Sequence, residues 1–268
     1  MHASRTPSER VARRVLDLAG GYQPPTFDHV PDPDTALFLC AIDHRTGYRE
    51  PHTVAGEGLH AGSALLWAVA IEAARGQPGL MTADALRNVS AEEVAELFRI
   101  EGETVEDPER RAQLWRDLAG GLERDHGGEA RALLAAGGSR LGGDDGLLAL
   151  LARYEAYDDP LQKKSFLFAK ICERRGWFAV DDPERWEVCA DNVLMRLALR
   201  SGLVATGPLQ EVRPATVDAF KRVANESGLP PPVLDDLLWE LGRDDPDLLG
   251  TEGGDLREPP RDPASSWY

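Results

Sequence analysis

Apolar residues recur along this chain at helical rather than strand spacing. Val11, Val15, Leu16 and Leu18 share an early segment, and Thr6-Pro7-Ser8-Glu9 ahead of it reads as a capping box with proline at the first helical position. Gly20-Gly21 closes that helix, and the Pro-punctuated loop 22–33 follows. A short apolar helix is predicted over about 35–42 (TALFLCAI), and a longer one, ALLWAVAIEAARG, is predicted with Ser63 as its cap. Between them, residues 43–62 hold too many Gly, Pro and His for a helix and fit a small hairpin.

Further starts are marked by Thr82, by Ser90-Ala91-Glu92-Glu93 and by Asp107-Pro108, the last opening a long segment in which Leu114, Leu118 and Leu122 repeat every fourth residue. GGSRLGGDDG (137–146) reads as a loop. Asp159-Pro160 is predicted to begin a helix, Asp182-Pro183 a turn, and 188–201 a helix ended by Gly202. Two more helices are expected at about 216–227 and 232–241. Period-2 alternation is missing, so the expected class is all-α: one helical unit over 1–242, or two closely packed lobes. Residues 243–268 read as an acidic, Pro/Gly-rich and mobile tail whose terminal Trp267-Tyr268 can dock.

Composition narrows the function. The 268 residues carry a formal net charge of −16, which repels phosphodiester backbones and makes a general nucleic-acid binder unexpected. No run approaches a membrane span, and the N-terminal stretch lacks a signal-type apolar region. Cys40, Cys172 and Cys189 sit among apolar neighbours without CxxC spacing, as reduced core residues of a cytoplasmic protein would. Four of the six histidines (His29, His44, His52, His60) cluster in sequence, but no HxxxH or HExxH spacing points to a metal, and no cofactor is implied. P-loop, GxGxxG and GxSxG signatures do not occur, which removes NTPase, hydride-transfer and α/β-hydrolase readings.

The chain has four lysines and 26 arginines, and three of the lysines, Lys163, Lys164 and Lys170, fall in DPLQKKSFLFAK. Lys163 and Lys164 precede Phe166, Leu167, Phe168 and Ile171, so at least one of them projects near an apolar face. It is there as a snorkelling side chain or as a pocket amine. Asp191 stands at the start of an apolar helix, as its N-cap, as a partner of Arg196 or as a poorly solvated functional carboxylate. Asp43-His44 follows an apolar helix and precedes a Gly-containing turn, a suitable pair for a small-molecule pocket. Phe38, Tyr48, Trp67 and Phe98 could stack on a base or fill core.

GLHAGSALLWAVAIEAARG, LRNVSAEEVAELFR, QKKSFLFAKICE and CADNVLMRLALRSGLV occur in this order, and together they resemble the queuosine-5′-phosphate N-glycosidases of queuosine salvage. Those enzymes are all-helical relatives of the helix-hairpin-helix DNA glycosylases. The resemblance runs over roughly 30–242, through Gly62-Ser63, Ser90 to Arg99, Lys163-Lys164-Ser165-Phe166 and Cys189-Ala190-Asp191-Asn192, to LDDLLWELG at 234–242. It implies hydrolysis of an N-glycosidic bond in a nucleotide or nucleoside, with Asp191, Lys164 and Lys163 as catalytic residues and Asp43, His44, Tyr48, Ser63, Trp67, Phe98 and Arg196 lining the substrate. Lys164-Ser165-Phe166-Leu167-Phe168-Ala169 is also similar to the lysine helix of archaeal 8-oxoguanine DNA glycosylases, which makes a DNA glycosylase or lyase an alternative. A non-catalytic binding protein that keeps the fold is another. Where the queuosine family has an aromatic run, this chain has Asp43-His44-Arg45-Thr46-Gly47-Tyr48, which leaves the base unidentified.

Overall fold

A computed structural model describes residues 6–56, 58–254, 259–263 and 265–268. Among these the fold is all-α: twelve α-helices, two short 3-10 turns and one two-stranded ribbon. The chain divides into two units, Met1–Pro25 with Glu184–Ser265, and Thr26–Pro183 with Ser266–Tyr268.

The first unit begins with α1 (Pro7–Ala19), where Thr6 and Glu9 form the reciprocal capping box. Val11, Ala12 and Val15 are buried, but Leu16 is 47% exposed. Its position, about 140° round the helix from Val11, takes it off the buried stripe of Val11, Ala12 and Val15.

The second unit is built round α2 (Pro33–Ile42). Asp32 caps it by accepting from the Thr35 amide at 2.7 Å, and every residue from Thr35 to Ile42 is buried. The loop after α2 leads into the hairpin β1 (His52–Thr53) and β2 (Leu59–His60), paired antiparallel with His52 opposite His60. Then come α3 (Gly62–Gly76), α4 (Ala83–Leu86), α5 (Ala91–Leu97) and α6 (Pro108–His126). Leu114, Leu118 and Leu122 of α6 are all buried, as their spacing predicts. Two short helices that the sequence does not single out, α7 (Ala130–Ala136) and α8 (Leu147–Leu151), precede α9 (Lys163–Arg174).

Helices α3, α6, α7 and α9 all pack on α2. Two buried aromatic tips donate to its carbonyls: Trp115 Nε1 to Phe38 O at 2.7 Å and Tyr157 Oη to Leu37 O at 2.6 Å. They fix α2 in depth and rotation, and α2 in turn carries the polar residues at its C-terminal end.

Two expected starts differ. Ser63 does not cap α3; Ala61 occupies that position and Ser63 lies in the first turn, with its hydroxyl turned elsewhere. Helix α9 begins at Lys163 rather than at Pro160, because the Asp159 carboxylate accepts from the amides of Leu161 and Lys163 and holds a non-helical turn. Gln162 then takes a left-handed conformation, φ 54°, ahead of the helix.

The first unit is completed by α10 (Asn192–Arg200), α11 (Leu209–Ser227) and α12 (Pro231–Asp244); α10 packs on α11 and α12, and α1 on both of these. Directly after α12 the chain is anchored through residue 253. Leu248 and Leu249 are buried, Arg200 pairs with Asp247, and the Gly253 amide donates to Arg200 O at 2.8 Å. The final residues belong to the second unit, where Trp267 Nε1 donates to Asp158 Oδ1 at 2.9 Å and Tyr268 is buried. None of the three cysteines is in a disulfide, and all are buried. Among the described residues no helix is long and apolar enough to cross a membrane.

Candidate functional site

In the second unit, the C-terminal end of α2 meets the first turn of α9. Lysines are poor choices for a helix's first turn, since the backbone dipole is positive there. They are accepted because α2 presents its last carbonyls to them. Lys163 Nζ donates to the Asp43 carbonyl at 3.0 Å and reaches Asp43 Oδ2 at 3.3 Å. Lys164 Nζ donates to Ala41 O at 2.5 Å and lies 3.3 Å from His44 Nδ1. The Ser63 hydroxyl donates to Asp43 Oδ1 at 2.6 Å, which explains why it is not a helix cap.

Apart from the half-buried Ser63, these groups lie inside the protein. Lys164 is 0% exposed, and Lys163, Asp43 and His44 are also buried. Burial raises the Asp43 carboxyl, but the Lys163 charge and the Ser63 hydroxyl outweigh it and hold it below its ordinary value. Lys164 is driven well below the ordinary lysine value, first by burial and then by the neighbouring Lys163 charge. His44 falls well below the imidazole range for the same leading reason, with Lys164 and Arg111 adding to it. Adjacent lysines therefore occupy opposite settings, one in an ion pair and the other at a carbonyl and an imidazole.

Arg111, on α6, completes the group and is not among the residues singled out from the sequence. Its Nη2 donates to the carbonyls of His44 (2.6 Å) and Arg45 (2.8 Å). Its Nη1 donates to Glu106 O (2.5 Å) and lies 3.3 Å from His44 Nε2. The loop it holds also crosses residue 106: the Glu106 amide donates to Thr46 O at 2.8 Å, and a Cβ on Gly47 (φ +81°) would sit 2.7 Å from Glu106 Cβ. Glycine is required at 47 for both reasons. One sequence signal could have revealed Arg111, since it stands three residues before Leu114 and seven before Leu118, on the buried stripe of α6.

The other sequence-derived residues fall in varied places. Tyr48 is half-buried and donates to Phe98 O at 2.7 Å; burial pushes its phenol up to about 12. Phe98 is fully buried against Trp115, with ring centroids 6.0 Å apart, in the position of a core aromatic. Trp67 is half-buried on α3.

Asp191 and Arg196 belong to the first unit. Asp191 is the half-buried N-cap of α10, its Oδ1 accepting from the amides of Val193 (2.9 Å) and Leu194 (3.0 Å). The strand of chain leading to it is pinned from both sides. Asp235 Oδ1 accepts from the Cys189 amide at 2.7 Å, and Arg213 Nε donates to Ala190 O at 3.0 Å. Arg196 points its guanidinium to the carbonyls of Gly242 and Arg243 at the end of α12.

Among the described residues no group of three His, Cys, Asp or Glu side chains is arranged to hold a metal ion. No model of a known protein family and no curated protein matches the chain.

Proposed function

We propose that this protein is an N-glycosidase that cleaves the C–N bond of a modified, deazapurine-like nucleotide or nucleoside, with water as the acceptor and free base as a product. The observation that carries the reading is the amine, carboxylate and imidazole cluster at α2 and α9. It occupies the two lysine positions singled out by the resemblance to queuosine-5′-phosphate N-glycosidases. Such a cluster is costly to bury and is concentrated at working sites.

In this reading the sugar develops oxocarbenium character as the bond to the base lengthens. A carboxylate stabilises that charge and orients the attacking water, the role that the resemblance assigns to Asp191. Water adds to the anomeric carbon and gives up a proton, and the bonding pair leaves with the base, which is protonated on departure. Lys163, a charged donor, suits the 5′-phosphate or the departing base.

The test is incubation with a panel of modified nucleoside monophosphates, followed by mass spectrometry for free base. Release by the wild type, lost in Asp191→Asn and Lys163→Met, is the expected result. No base from any member of the panel would count against the enzyme and for a second reading: a binding protein with a polar core. That reading draws on the complete burial of Lys164 and Phe98 and on the use of Asp191 Oδ1 as a helix cap.

A further inference from the structure

His44 has a hydrogen-bonding partner at each ring nitrogen, and the identity of one partner dictates the protonation of the other. A neutral imidazole carries one N–H donor and one acceptor. At Nε2 stands Arg111 Nη1, and a guanidinium can only donate. Arg111 stays charged at neutral pH even though burial lowers it to about 10. Its remaining Nη hydrogens are directed to the carbonyls of Glu106, His44 and Arg45, so one Nη1 hydrogen is left for the ring. Nε2 must therefore accept, and the ring proton belongs on Nδ1. There, 3.3 Å away, is Lys164 Nζ.

An ammonium at this place would set N–H against N–H and would bring three hydrogens to a fully buried atom. Ala41 O is the one carbonyl it meets among the described residues. A neutral amine resolves the geometry: its lone pair accepts from His44 Nδ1–H and one of its hydrogens goes to Ala41 O. The charged and titratable groups around Nζ fit this state. Lys163 on the same helix and Arg111 on α6 are cations that oppose a further charge. Asp43 is already bonded by Lys163 and Ser63, and the Cys40 thiol is held protonated by burial.

We infer that Arg111 is a positioning residue: by donating to Nε2 it locks His44 as the Nδ1–H tautomer and thereby keeps Lys164 a neutral amine at neutral pH. The proton chain runs Arg111 N–H to Nε2, Nδ1–H to Nζ, and Nζ–H to Ala41 O. Its part in turnover rests on the N-glycosidase reading, where it supplies an uncharged base beside a charged donor; the proton arrangement itself does not.

Nuclear magnetic resonance on the whole protein decides it, because only four lysines need to be distinguished. With lysine labelled by 15N and 13C, proton-coupled 15N spectra count the hydrogens on each Nζ, and long-range 1H–15N correlations report the histidine tautomer. At neutral pH one lysine should show two attached hydrogens and an amine-type shift, and that signal should vanish in Lys164→Met. His44 should read as Nδ1–H. Arg111→Gln, which can accept as well as donate, should mix the tautomers and move the Lys164 titration to higher pH, whereas Arg111→Lys should restore the single tautomer. Three hydrogens on Lys164, or a proton on Nε2 in the wild type, overturns the inference, and both are read even if the Arg111 variants do not fold. If the panel yields free base, Arg111→Gln should shift the acidic limb of the kcat profile upward and Arg111→Lys should not. A panel that yields none ends the glycosidase reading and leaves the spectra to stand or fall alone.

Discussion

The first turns of α9 and α10 solve the same local problem in opposite ways. At α10 the leading residue is Asp191, a carboxylate at a positive helix end, bonded to two free amides of its own helix. Sequence, propensity and dipole agree there. At α9 the N-cap residue Gln162 makes no capping bond and takes a left-handed conformation, the Asp159 carboxylate reaches in from the preceding turn to the Lys163 amide, and two lysines occupy the turn that least favours a positive charge. Nothing within the helix itself recommends the lysines there. They persist because the carbonyl end of α2 and the Asp43 carboxylate take the lysine hydrogens. A residue that obeys its helix needs no further reason to be present, whereas one that opposes its helix has its reason elsewhere in the fold. By that measure α9 is the stronger candidate for chemistry, and Asp191 has a structural role that any functional role must be separated from.

The sharpest way to break the contrast is Asp43→Ala. It removes the buried carboxylate that Lys163 pairs with and that Ser63 bonds, and should destabilise the fold by about 3–5 kcal/mol in chemical denaturation. A loss under about 1 kcal/mol would show the pair to be dispensable. Next comes Lys164→Met. It leaves Ala41 O and the His44 ring nitrogen without their partner, for an expected loss of about 1–3 kcal/mol. Stability equal to wild type would mean the amine contributes nothing beyond its stem.

The pH dependence follows from the same groups. His44 and Lys164 both have values lowered by folding, so the unfolded chain binds protons that the native one refuses. Stability should therefore fall as pH drops below about 6.5, the ordinary imidazole value; the Lys164 contribution rises with pH toward the ordinary lysine value of about 10.4, but above about 8.5 the Cys40 and Cys172 thiols, raised by burial, oppose it, so the comparison is read between these limits. The limiting slope is about 1.4 kcal/mol per pH unit for each group. Denaturation midpoints of wild type, His44→Gln and Lys164→Met against pH give the comparison; slopes unchanged by both substitutions would refute it.

At α10, Asp191→Ala should cost about 1 kcal/mol as a lost cap and Asp191→Ser should recover most of it. If free base is detected, Asp191→Ser should still have lost its release, because a hydroxyl can cap a helix but cannot balance an oxocarbenium charge. Release at the wild-type rate would reduce Asp191 to a cap. The smallest effect belongs to Leu59→Ser on the hairpin, where a residue 74% exposed should change stability by less than about 0.5 kcal/mol.

The parts of the fold that were legible in the sequence are those where one residue type acts locally. The capping boxes at Thr6 and Ser90, the Asp107-Pro108 start and the four-residue leucine repeat of α6 all form as read. Misreadings arise where a side chain that could act locally acts at a distance. Ser63 looks like a cap but bonds Asp43 twenty residues away. Asp159 looks like a helix start but closes a turn. Short α7 and α8 have too few turns for periodicity to show. In the candidate site, the lysine pair and Asp43-His44 stand out through composition and context. Arg111 does not: one arginine among 26 is unremarkable until its register with Leu114 and Leu118 is set beside the carbonyls it collects.

Three of the four lysine side chains are buried, which leaves Lys221, beside Glu187, as the one ε-amine at the surface of the described residues. An acylating reagent offered to the native protein thus meets a single side-chain target, and three more appear only as the interior opens. Mass increments per molecule then count opened copies directly, a built-in label for unfolding that requires no engineered probe.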